Sequence, residues 1–195
     1  MISNYKNSSF VLFFLSTFIS CQDNKPTLTV DWIHTDEAKT ISSVHRYVWL
    51  ENNTAILYDS GKPIKERDFK VLDPEKPNAL SPLFNVKKAV QSLNEILDDT
   101  LDGLDWPISF DSKGEKALYN FKGDIFLLDI ETSVFKKITN TLEEEKSPRL
   151  SPDGKHIAYV RENDLVSYSI LNNREKTLTK TGSETLLNGT LSWVY

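Results

Sequence analysis

Leu150-Ser151-Pro152-Asp153-Gly154-Lys155-His156-Ile157-Ala158-Tyr159-Val160-Arg161-Glu162-Asn163-Asp164-Leu165 decides the architecture, because it is the second of two copies. Phe110–Thr139 lies on Leu150–Thr179 at a constant offset of 40 residues with no gap. Gly114 falls on Gly154, Tyr119 on Tyr159, Asp124 on Asp164, Ile130 on Ile170, Lys136 on Lys176 and Thr139 on Thr179. A repeat of about 40–45 residues in β-type sequence has the length of a four-stranded propeller blade.

The chemistry inside one copy supports that length. Ser151-Pro152-Asp153-Gly154 is a type I turn signal, in which Pro152 pre-sets φ and Gly154 closes the turn. Asp111-Ser112-Lys113-Gly114 is its weaker counterpart. Strand-like runs come next at Lys116–Tyr119 and His156–Val160, then a polar turn, then Ile125–Ile130 and Leu165–Ile170. A fourth strand is expected at Phe135–Thr139 and Lys176–Thr179. One such sheet cannot bury both faces alone, so blades must pack on one another.

A more degenerate blade comes earlier, at Tyr47–Tyr58 with a third strand over Arg67–Asp73. Between it and the repeats, Ser81-Pro82 reads as helix cap and first helical residue. Val86, Ala89, Val90, Leu93, Ile96 and Leu97 recur at helical spacing and predict one amphipathic helix ending near Asp99. Its apolar stripe is expected to cover a blade edge or an inter-blade groove.

The amino terminus reads as an export signal. Phe10–Ile19 is an apolar run suited to a signal peptide and shorter than the roughly 18–20 residues of a permanent span. It ends at Ser20-Cys21, and Cys21 is the chain's one cysteine. A small residue before a lone cysteine resembles a bacterial lipobox, so Cys21 is the expected acylation site, with conventional cleavage as the alternative. Acylation would leave the exported part without a thiol and hence without disulfides. The chain thus divides into a signal peptide over 1–20, a lipidated cysteine and lead-in over 21–43, and an incomplete propeller over 44–195. Blades are placed at about 44–73, 106–146 and 147–181, a helical insertion at about 81–100, and the start of a further element at 185–195. The fold class is all-β, a partial propeller of about three antiparallel blades.

Net charge of −5 with pI near 5.3 supplies no basic stripe, so no nucleic-acid partner is expected. The histidines are scattered and the carboxylates of Asp98-Asp99 and Asp102-Asp105 lack a calcium-loop register, so neither metal nor cofactor is expected.

Ser151–Leu165 together with Asn188-Gly189-Thr190-Leu191-Ser192-Trp193-Val194-Tyr195 resembles the amino-terminal propeller of bacterial dipeptidyl peptidase IV-like enzymes of the prolyl oligopeptidase clan. The resemblance runs from about Val44 to Tyr195. It implies an eight-bladed propeller that gates an α/β-hydrolase domain with a Ser-Asp-His triad, releasing dipeptides after proline or alanine. It also implies a pair of glutamates just beyond Tyr195 that holds the substrate's free amino group. No G-x-S-x-G occurs, so no catalytic residue is assigned and this chain alone should be inactive. His34, His45 and His156 have no serine and acid partners at a supporting spacing.

Arg161, in the turn after the second strand, is a weak substrate-binding candidate. Glu143-Glu144-Glu145 reads as a solvated acidic link between blades. Ile157, Tyr159, Leu165 and Tyr168 are expected to need a following blade as cover, because neighbouring side chains alternate between faces. Two functional classes remain. One is the front of an exported, lipid-anchored peptidase, whose partners are peptide substrate, membrane and the hydrolase domain. The other is a TolB-like propeller lipoprotein that binds proteins or peptides. Three blades cannot close a ring, and that favours the first.

Overall fold

The computed structural model describes residues 29–41 and 45–191. The expected signal peptide over 1–20, Cys21 and Ser192-Trp193-Val194-Tyr195 lie outside the described residues. The chain separates into two units, Met1–Lys39 and Thr40–Tyr195. The lead-in carries two short helices, α1 (Val30–Ile33) and α2 (Asp36–Ile41). Thr29 Oγ1 caps α1 by accepting from Trp32 N–H at 3.1 Å, and Thr35 Oγ1 accepts from Ala38 N–H at 3.2 Å. These Ser/Thr-type caps satisfy donors that the first helical turn leaves free.

The second unit is built from three four-stranded antiparallel sheets, each a simple meander. The first contains β1 (Arg46–Trp49), β2 (Ala55–Tyr58), β3 (Phe69–Leu72) and β4 (Ser81–Pro82). The second contains β5 (Ser109–Phe110), β6 (Lys116–Phe121), β7 (Asp124–Asp129) and β8 (Val134–Lys137). The third contains β9 (Lys146–Leu150), β10 (His156–Arg161), β11 (Asp164–Ser169) and β12 (Arg174–Thr177). Both bounds of β6, β7 and β8 recur 40 residues later in β10, β11 and β12, so the sequence offset is a structural one. The hairpin tips repeat too. Lys122 and Gly123 have φ of 54° and 90°, and Glu162 and Asn163 have 49° and 63°. Two successive positive φ values give the tight turn whose twist matches that of the strands.

Alternation along β7 shows how the sheets stack. Phe126 and Leu128 join Tyr119, Phe135, Ile56, Tyr58 and Phe69 in one buried cluster. Ile125 and Leu127 point the other way and join Leu118, Ile157, Tyr159, Val166 and Tyr168 in a second. The middle sheet is therefore buried on both faces, and its strand reads as a continuous apolar run. Backbone links tie neighbouring sheets at the type I turns. Glu51 N–H donates to Ser112 O at 2.9 Å, and Ser112 N–H donates to Pro152 O at 2.8 Å. Gly154, at φ 64°, fits here because a Cβ would stand 2.9 Å from Asp111 Oδ2.

Ser81-Pro82 is not the helix start that the sequence suggested. It is β4, the edge strand of the first sheet, pairing with Val71 and Lys70. Proline is tolerated there because an edge strand needs no donor on its outer side. The helix is α3 (Val86–Leu97), whose cap is Asn85; its Oδ1 accepts from Lys88 N–H at 3.1 Å. It ends at Asp98, which takes the left-handed conformation at φ 50°. Ala89, Val90 and Leu93 are buried in the first core cluster. Ser92 Oγ accepts from Phe135 N–H of β8 at 3.0 Å, so α3 covers the outer edge of the second sheet.

The expected exposure of the third sheet's apolar residues is also corrected. Ile157, Tyr159 and Tyr168 are buried against the second sheet, and Leu165 is half-buried beneath Gly189. Period-2 alternation places the first three on one face, which the preceding repeat suffices to cover.

Candidate functional site

Arg161 ends β10, on the face of the third sheet that looks toward the second. Its guanidinium makes four hydrogen bonds within the chain. Nε donates to Glu145 Oε1 at 2.9 Å, Nη1 to Glu175 Oε2 at 3.0 Å, and Nη2 to Glu175 Oε1 at 2.9 Å and Tyr159 Oη at 3.3 Å. Tyr159 Oη in turn donates to Glu175 Oε1. The hydrogen bonds with Glu175 push the Arg161 pKa up, and burial followed by the bond to Glu175 pushes the Tyr159 phenol up. The reverse holds at Glu175: its bonds from Arg161 pull that carboxyl below its usual value.

Glu145 is the residue that sequence reasoning misplaced. It is not solvated; its side chain has no exposed surface. Besides Arg161, its carboxylate accepts from Thr139 Oγ1 at 2.5 Å and Thr141 Oγ1 at 2.7 Å. Its backbone is held as well. Glu145 N–H donates to Gly123 O at 3.1 Å, and Asn120 Nδ2 donates to Glu145 O at 3.1 Å. A charge this buried is stable only when paired and hydrogen-bonded, and here the bonds link the second sheet to the third. No spacing singles out the third glutamate of Glu143-Glu144-Glu145, so sequence alone had no signal for it. Glu143 and Glu144 are exposed, as a solvated link should be.

The same positions do different chemistry one repeat earlier. Tyr119, Phe121 and Phe135 stand where the third sheet has Tyr159, Arg161 and Glu175. Tyr119 stacks on Phe121 with ring centroids 5.6 Å apart, and Phe135 meets Tyr119 edge-on at 5.2 Å. An aromatic stack in one seam is thus replaced by an ionic network in the next.

A second motif is retained in both. In the second sheet, Thr139 Oγ1 accepts from Ile125 N–H at 2.8 Å beside Asp124. In the third, Thr179 Oγ1 accepts from Leu165 N–H at 2.9 Å and donates to Asp164 Oδ1 at 2.8 Å. Asp164 Oδ1 also accepts from Thr181 N–H, Gly182 N–H and Asn188 Nδ2 at 3.1, 2.9 and 3.0 Å. The bonds from Thr179 and then Gly182 hold its carboxyl below the usual range. Asn188 N–H completes the clamp on Asn163 O at 2.9 Å, as Glu145 N–H does on Gly123 O at 3.1 Å at the earlier hairpin tip. Asn188-Gly189 is therefore fastened to the tip of the β10–β11 hairpin. The recurrence of Asp124 as Asp164 and Thr139 as Thr179 was visible in sequence, and this shared bond is its physical reason.

Arg161 thus joins the third sheet to the buried Glu145. The network has a pH signature. Because Glu175 has a depressed folded pKa, its stabilisation is full above the unfolded value and is lost as pH falls through the folded one. Glu175→Gln should cost about 1 kcal/mol at neutral pH, a low figure for a charged hydrogen bond because the side chain is 38% exposed. Urea unfolding from about pH 6 down to pH 3 should show a shallower decline for the variant than for the parent. Parallel declines would mean that Glu175 is ionised equally in both states.

Residues 109–195, which hold the second and third sheets and run on to the last residue, match the family described as "Dipeptidyl peptidase IV (DPP IV) N-terminal region". The Aspergillus clavatus protein described as "Probable dipeptidyl-aminopeptidase B" is 30% identical over 79 residues, 40% of this chain and 9% of its own length. The crystal structure of Porphyromonas gingivalis dipeptidyl peptidase 4 superposes with a TM-score of 0.54 at 13% identity, covering 80% of this chain and 22% of the other. TolB from Acinetobacter baumannii gives a TM-score of 0.43 at 18% identity, over 72% of this chain and 33% of that one. The chain spans less than a quarter of the two dipeptidyl peptidases. At such identity the crystal structure speaks for the fold alone. Residues 109–195 thus resemble the dipeptidyl peptidase IV amino-terminal region, in a chain built of propeller-like four-stranded sheets.

Proposed function

We propose that this chain is the amino-terminal propeller portion of an exported, lipid-anchored serine exopeptidase that releases dipeptides after proline or alanine. The observation that carries the reading is the match of residues 109–195 to the dipeptidyl peptidase IV amino-terminal region. In this reading the sheets are scaffold and gate, while nucleophile and base come from a hydrolase domain. The clamp of Asp164 on Thr181, Gly182 and Asn188 then has a task. It fixes the chain through Asn188, ahead of the segment whose resemblance implies substrate-binding glutamates beyond it.

Antibody raised against residues 45–191 should precipitate, from membranes of the organism that encodes the chain, activity on a Gly-Pro chromogenic substrate that a serine-directed inhibitor blocks. The 195-residue chain alone should give background turnover, since nothing in it activates a nucleophile. Precipitation of a 22.3 kDa polypeptide without peptidase activity would sink the reading in favour of a binding lipoprotein.

The anchor rests on Phe10–Ile19 followed by Ser20-Cys21. Detergent should be needed to extract the protein, and Cys21→Ser should release it or leave the precursor uncut, because several acyl chains are required for stable attachment. Equal solubility of parent and variant would remove Cys21 from the account.

A further inference from the structure

A groove runs beside α3, between the helix and the connection that joins β2 to β3. Its helical wall is formed by Val86 and Val90 at i, i+4 spacing, with Lys87, Gln91 and Glu95 beside them at the same spacing. Leu101, in the segment that follows the helix, joins the two valines in an apolar floor. Asn94 fixes that segment. Its Oδ1 accepts from Leu101 N–H at 2.9 Å, and its Nδ2 donates to Leu101 O at 3.0 Å. Both backbone polar groups of Leu101 are thereby satisfied, and the floor is held against the helix.

The space measures about 600 Å³, within the range of small-molecule sites, about 300–1,000 Å³. It lies beside the helix that covers the outer edge of the second sheet, whereas propeller blades pack on one another through their sheet faces. Charge is graded along it. Lys87 sits in the first turn of α3, Glu95 in the last, and Asp99 and Asp102 follow. The helix dipole runs in the same sense, positive at the Lys87 end and negative at the Glu95 end. Lys122 pairs with Asp99 at 3.1 Å. Among the described residues, no ion pair engages Lys87, Glu95 or Asp102. The opposite wall offers Lys65 and Asp68, one charge of each sign, and so leaves the gradient to the helix. Glu95 stands about 12 Å along the axis from Lys87, at about 1.5 Å per residue. That is the reach of roughly three or four extended residues at about 3.3 Å each.

We propose that the groove beside α3 binds a short peptide with free termini, its ammonium group at Glu95 and Asp102 and its carboxylate at Lys87. Small apolar side chains of the peptide rest on Val86, Val90 and Leu101. A zwitterion of this length answers both charged ends at once, which a simple anion or cation does not. None of these residues takes part in the peptidase reading, so either can fail without the other.

The test titrates the full chain in detergent, methyl-labelled at valine and leucine, with trialanine at constant pH and ionic strength. The methyl signals of Val86, Val90 and Leu101 should shift saturably in NMR spectra, while those of Val166 in the third sheet stay still. N-acetyl-trialanine amide, which lacks both terminal charges, should bind at least about tenfold more weakly. Glu95→Gln combined with Asp102→Asn should weaken trialanine binding to a similar degree, and both sites are exposed, so folding should persist. Gln91→Trp is the second variant, which fills the groove without removing a charge and should abolish saturation. Equal affinity for free and capped peptide, equal affinity in parent and variants, or shifts that stay linear with concentration would overturn the proposal.

Discussion

The carboxylate of Glu145 is the contact on which the arrangement of the second and third sheets depends. Sheets that stack by apolar faces alone can slide, because hydrophobic burial is not directional. Glu145 removes that freedom by accepting from Thr139 and Thr141 on one side and Arg161 on the other. Its burial makes the arrangement strict, since breaking one partner would strand a charge in the interior. The seam therefore combines the area of Ile157, Tyr159 and Tyr168 with a polar key that fits one position.

The neighbouring seam achieves register by other means. Between the first and second sheets, Tyr119, Phe121 and Phe135 form an aromatic stack in the positions of the ionic trio. Tyr58, Arg67 and Asp105 supply a smaller polar cluster beside it, with Tyr58 Oη donating to Asp105 Oδ1 at 2.8 Å and Arg67 Nη1 to the same atom at 3.1 Å. One backbone plan thus accepts two chemistries at the seam while keeping, in each sheet, a threonine oxygen that accepts from the N–H of Ile125 or Leu165. What is shared serves the blade, and what differs serves the contact between blades.

The central strands of the second and third sheets were legible because the 40-residue offset ran through turns as well as apolar positions, so each was read twice. Alternation at Ile125–Leu128 failed to signal which face was buried, since a strand covered on both sides has no polar face to show. The start of α3 was misread because Ser81-Pro82 has the chemistry of a helix cap. Pairing with β3 outweighed it, and Asn85 took the cap four residues later. Glu145 was hidden for a different reason. Its partners Thr139, Thr141 and Arg161 lie on two sheets, and only the fold brings them to one acidic residue among three. Arg161 was singled out as a substrate-binding candidate, and its bond to Glu145 depended on a partner that spacing could not supply.

A double-mutant cycle on Glu145→Gln and Arg161→Met, with urea unfolding at neutral pH as the readout, tests the account most directly. A coupling energy of about 2 kcal/mol is predicted for residues in one buried network. The parallel cycle on exposed Glu143→Gln and Arg161→Met should give a value within about 0.5 kcal/mol of zero. Additive effects at Glu145 and Arg161, no larger in coupling than the Glu143 control, would contradict the claim that this buried bridge sets how the two sheets meet.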